Sequence, residues 1–105
     1  MREIYLEWRE RYIYRPVMVE REDILLELSS RFGAFKAVGP SRVGALVGCD
    51  GNFFKDIAGR DDRPPRSVRR ATFERVVQEF SDIWPAALEW PADIPRPTPT
   101  KREAA

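Results

Sequence analysis

The sequence predicts a mainly α domain of four to five helices, flanked by an N-terminal arm and a proline-rich tail. Three observations carry that expectation. Apolar residues recur at helical spacing in several stretches between residues 22 and 84. Glycine and proline punctuate the stretches at the points where helices stop or start. The chain has 105 residues, 43% of them hydrophobic, which suits one domain with a real core. The expected boundaries are residues 1–21 for the arm, 22–90 for the helical domain and 91–105 for the tail.

In residues 1–20 the reading stays open. Ile4, Leu6 and Trp8 alternate with Tyr5 and Glu7, and Tyr12-Ile13-Tyr14 and Val17-Met18-Val19 favour extended structure. Tyr5, Trp8 and Tyr12 also fit one helical face, and Pro16 marks a strand edge or an element boundary. An extended arm is the preferred reading, its aromatics serving as extra core or as a dimer contact.

The first helix is expected over residues 22–35, with Leu25, Leu28, Phe32 and Phe35 as its apolar stripe and Gly33 helping to end it. Gly39-Pro40-Ser41 then reads as a helix start, because proline at the first helical position loses no hydrogen bond there. Val43, Leu46 and Val47 make a second stripe, and Phe54, Ile57 and Ala58 a third. Gly48 between them suits a tight turn through positive φ. Gly44 lies inside a helix, where it costs about 1 kcal/mol relative to alanine. A second helix crossing too close for a Cβ would explain it.

A polar loop with Pro64 and Pro65 follows Gly59. Ser67 is the expected N-cap of the last helix, whose stripe is Phe73, Val76, Val77, Phe80 and Trp84, with Pro85 stopping it. Residues 86–90 fit one more turn. Beyond Pro91 the prolines at 91, 95, 97 and 99 stand among polar residues, and residues 92–105 read as a disordered or loosely packed tail.

The order Val43, Gly44, Val47, Gly48, Cys49, Phe54 and Ile57 resembles the helix-turn-helix of phage-repressor-type DNA-binding proteins, and with its flanking helices the resemblance spans residues 22–84. It implies a recognition helix at about residues 51–59 in the major groove. The outer face would then carry Asp50, Gly51, Asn52, Phe53, Lys55, Asp56 and Gly59. Asn52 is the expected base reader, since an amide can donate and accept together at an adenine edge. Lys55 would reach a guanine or a phosphate. Arg60, Arg63 and Arg66 would grip phosphates after the helix, and Ser41 and Arg42 would meet the backbone at the start of the preceding one. The implied partner is double-stranded DNA, bound by a homodimer acting as a small transcriptional regulator.

Three residues depart from that pattern. Asp50 and Asp56 put negative charge on the DNA-facing side, and Phe53 is large and apolar for a base-reading position. A protein-interaction module on the same scaffold, contacting its partner through Phe53 and the N-terminal aromatics, is the alternative. For Asn52 the alternative role is an N-cap of its helix.

The net charge is only +1, with pI 7.9, so distribution matters more than the total. Between Lys55 and Arg75 seven positive residues meet four negative ones. The chain has no histidine and one cysteine, Cys49, which reads as a small core residue. No zinc spacing, phosphate-binding loop or activated nucleophile is legible, and the Asp61-Asp62 pair reads as solvated; no enzyme, metal or cofactor is expected. Residues 1–20 lack a continuous apolar core, and no apolar run is long enough to span a bilayer, so a cytoplasmic location is expected.

Overall fold

A computed structural model describes residues 20–59 and 64–100. The expected arm, together with Arg60, Asp61, Asp62 and Arg63, lies outside the described residues, apart from Glu20 and Arg21 at its end, where Arg21 already belongs to the first helix. The domain is mainly α: α1 spans Arg21–Lys36, α2 Pro40–Leu46, α3 Phe53–Ala58 and α4 Arg70–Ile83. No strand occurs among the described residues. Helix α1 packs against the other three, and α2 packs on α3.

The period-3.6 stripes do most of the work. Leu25, Leu28 and Phe32 of α1, Val43 of α2, Val47 just after it, Phe54 and Ile57 of α3, and Val76, Val77 and Phe80 of α4 are all buried. At the centre, the Phe80 ring lies 5.9 Å from Phe32 edge-on, 6.0 Å from Phe54 and 6.0 Å from Trp84. Such spacings suit aromatic pairs and join α1, α3 and α4 at one point.

Two expected core residues are exposed instead, Phe35 at 42% and Leu46 at 40%. Phe35 projects on nearly the same side of α1 as buried Leu28, two turns earlier, but in the last turn of the helix that side is left open. In α2 the face is Pro40, Val43 and Gly44, which leaves Leu46 at its edge.

Gly33 does not end α1, which continues to Lys36. The left-handed residue is Ala37 (φ 60°), whose N–H donates to Ala34 O, while Val38 N–H donates to Gly33 O at 2.9 Å. These two bonds close the helix in the usual Schellman pattern, with alanine where glycine is usual. Gly39 then precedes Pro40 at the start of α2, as expected.

Helix α4 starts later than expected, at Arg70, and Ser67 does not cap it. The chain ahead of it is held from across the fold. Val68 N–H donates to Glu22 Oε2 at 2.6 Å, and Arg21 donates to Val68 O at 3.0 Å. These bonds tuck Val68 into the core and go with a non-helical segment 64–69, so the helix begins only after it.

The segment expected to be a disordered tail packs back on α4 as far as Thr100; residues 101–105 lie outside the described residues. Trp90 sits edge-on to Trp84 at 4.8 Å, and Ile94 is buried. Arg96 donates to Ser81 O at 2.8 Å and lies 5.2 Å from the Trp90 ring. Gln78 donates to Thr98 O, and Thr100 donates to both carboxylate oxygens of Asp82. Four prolines remove few partners here, because these bonds use carbonyls and side chains rather than a ladder of N–H groups. Replacing Ile94 with alanine should therefore cost about 2 kcal/mol or more in urea unfolding, as for a core aliphatic. A loose tail would leave the midpoint unchanged.

Candidate nucleic-acid interface

The α2–α3 unit is built by its connection. Helix α2 closes on Gly48, whose φ is 79°: Gly48 N–H donates to Ala45 O and Cys49 N–H to Gly44 O at 2.8 Å. This is the glycine turn the sequence called for. Gly44 has a different reason from the one expected. A Cβ there would lie 2.5 Å from the backbone oxygen of Asp50, so the close approach comes from the connection rather than from a crossing helix.

Asp50 organises the start of α3. Its carbonyl accepts from Phe53 N–H at 3.2 Å, and its carboxylate accepts from Asn52 N–H at 2.7 Å. An aspartate satisfying the N–H two residues on is a local turn that presets the helix start. Asn52 occupies the N-cap position, but its side chain makes no capping bond. The amide is exposed and has no hydrogen bond among the described residues. Gly51 sits beside Ser41, a Cβ there being 3.7 Å from the serine Cβ. Exposed Ser41, Gly51 and Asn52 therefore share one edge, with exposed Arg42 next to it in α2.

The other expected residues divide. Lys55 and Asp56 are half-buried. Asp56 meets the returning chain: Arg66 N–H donates to its carbonyl at 3.0 Å, and the Arg66 guanidinium, 68% exposed, stands 3.7 Å from its carboxylate. Phe53 is half-buried, edge-on to Phe54 at 5.0 Å. Gly59, expected on the outer face, is buried against Pro65. Arg60 and Arg63 lie outside the described residues.

Arg75 was not singled out by its own spacing. From α4 its guanidinium reaches over the Gly48 turn and donates toward Cys49 Sγ at 3.8 Å. Only the packing of α4 puts this exposed cation beside the connection between α2 and α3, so no local sequence signal marks it. Cys49 is half-buried against the core; burial pushes its thiol pKa up, and Arg75 opposes that rise. Among the described residues no helix is long and apolar enough to cross a membrane.

The chain matches no known protein family, and no curated protein or solved structure is recognisably similar to it.

Two substitutions test this construction. Gly44→Ala should destabilise by about 2 kcal/mol, because the clash with the Asp50 carbonyl outweighs the better helix propensity. Gly51→Ala meets only ordinary contact and serves as its neutral comparison. Asp50→Ala should cost about 1 kcal/mol by thermal or urea unfolding, as loss of a capping side chain does, while Asp50→Asn keeps an acceptor and most of the stability.

Proposed function

We propose that this chain is a non-catalytic, sequence-specific DNA-binding domain, with α2 and α3 as its helix-turn-helix and the start of α3 in the major groove. It would serve as a small transcriptional regulator in the cytoplasm, needing no cofactor and acting as a homodimer on two half-sites about one helical turn apart. The observation that carries the reading is the Asn52 amide. It stands exposed at the start of α3 without a hydrogen bond among the described residues, while Asp50 does the local capping.

The two acidic departures lose weight on the same grounds. The Asp50 carboxylate is engaged by Asn52 N–H, and that of Asp56 faces Arg66. Exposed Arg42 adjoins the edge in α2, exposed Arg66 stands by Asp56 of α3, and exposed Arg75 stands over the Gly48 turn. Their proposed role is to hold phosphates and so set register, with Lys55 reaching a phosphate or a guanine. Phe53 is half-buried, edge-on to Phe54, so only part of its ring is open to a partner of either kind.

Fluorescence anisotropy on random-sequence and genomic-neighbourhood duplexes, at several salt concentrations, tests the proposal. Affinity should fall steeply with salt, and one duplex should win by at least about tenfold. Asn52→Ala should erase that preference while keeping non-specific binding. Arg66→Ala should weaken binding to every duplex and reduce the salt slope by about 1. Absence of binding at low salt would sink the reading.

A further inference from the structure

A cleft of about 400 Å³ lies between α3, the non-helical residues 66–69 and the first turn of α4. Its apolar lining is Phe53, Ile57 and Val68, and its polar lining includes Arg66, Arg69 and Thr72. The edge residues Ser41, Gly51 and Asn52 do not line it, while Arg66 belongs both to the cleft and to the proposed phosphate contacts. Arg69 is exposed and has no ion pair among the described residues. Arg66 is held only at 3.7 Å by Asp56, a loose pair with most of the side chain in water. The Thr72 hydroxyl has no hydrogen bond among the described residues.

The volume falls in the range of small binding clefts, with apolar surface and a few polar groups that fix orientation. Two guanidiniums beside an apolar surface select a carboxylate next to an apolar side chain, because each can take a carboxylate bidentately. A DNA duplex supplies phosphates, but its apolar groups are scattered thymine methyls and sugar faces rather than one side chain large enough to cover Phe53, Ile57 and Val68. A protein segment supplies both.

We propose that this cleft docks an acidic segment of another protein, an aromatic or long aliphatic anchor lying on Phe53, Ile57 and Val68 and flanking carboxylates meeting Arg66 and Arg69. The proposal needs no duplex and does not rest on the DNA reading, with which it shares only Arg66 and the α3 residue Phe53.

The test uses the full ¹⁵N-labelled chain and three acetylated, amidated peptides. They are Asp-Glu-Trp-Leu-Asp, its lysine counterpart Lys-Lys-Trp-Leu-Lys, and the acidic peptide with serine replacing both apolar residues. The first should shift amides of residues 53–57 and 66–72, and the other two should bind at least about tenfold more weakly. Arg69→Glu changes an exposed side chain, so the rest of its spectrum should stay as in the parent; binding of the first peptide should fall by about tenfold or more. Thr72→Trp, which fills the cleft, should abolish binding. Equal binding of the three peptides, or shifts centred elsewhere, would overturn the proposal. So would a random-sequence duplex that shifts these amides in an Arg69-dependent way while no peptide binds. Contacts from side chains of residues 1–19 inside the cleft of the free chain would overturn it as well, by making the occupant internal.

Discussion

Phe80 is the point on which the described fold depends. Its ring touches one aromatic from α1, one from α3 and one just past the end of α4, and it is fully buried. Without that meeting point α3 has little reason to exist, because six residues are too few for a helix to hold itself in water. Phe54 and Ile57 keep α3 helical by burying one face of it, and the Phe54–Phe80 contact ties that face to α4. The same ring leads outward through Trp84 to Trp90, so the chain after α4 rests on the same cluster as the edge at α3. Local geometry at the start of α3 is thus a consequence of packing made far along the chain.

Within that frame the α2–α3 connection is tightened by one residue. The Asp50 backbone oxygen lies against Gly44 and accepts from Phe53, while the Asp50 carboxylate holds Asn52 N–H. One carbonyl therefore explains both why residue 44 has no Cβ and where α3 begins. An aspartate that caps the position two residues on also relieves Asn52 of that duty. The exposed amide at the edge follows from how the turn is closed, and needs no separate explanation.

What the sequence made legible was short-range. The stripe residues Leu25, Leu28, Phe32, Val43, Val47, Phe54, Ile57, Val76 and Phe80 announce themselves by spacing, and Gly48 by the turn it closes. The misses share one cause, a contact between distant parts of the chain. Ser67 has the right chemistry for an N-cap, but Glu22 and Arg21 hold Val68 from forty-odd residues away and delay the helix. Leu46 keeps the helical period yet falls at the edge of its buried face, and Phe35 shares the side of buried Leu28 in a last turn that no neighbouring element covers. The composition of residues 91–100 suggests a loose tail, whereas Trp90, Ile94 and Arg96 find partners in α4 and just beyond it that no local pattern encodes. At the candidate site, Asn52 and Asp50 were visible as residue types, but their division of labour was not. Arg75 entered only as one of a run of basic residues.

The near-neutral charge of the chain is the remaining constraint on a nucleic-acid reading, and the distribution of charge answers it. Total charge governs solubility and long-range attraction, but the field at a surface depends on which charges are engaged nearby. Several carboxylates here are occupied: Glu22 by Val68 N–H, Asp50 by Asn52 N–H, Asp56 by Arg66 and Asp82 by Thr100. A carboxylate that accepts a hydrogen bond keeps its charge, yet it is held where the fold needs it and not aimed at a ligand. The exposed guanidiniums of Arg42, Arg69 and Arg75 carry no such partner in an ion pair among the described residues. Positive charge can then concentrate on particular faces of a chain whose sum is close to zero. With phosphate contacts that few, affinity for arbitrary duplex would be modest, and discrimination between sequences would have to come from base contacts at the start of α3.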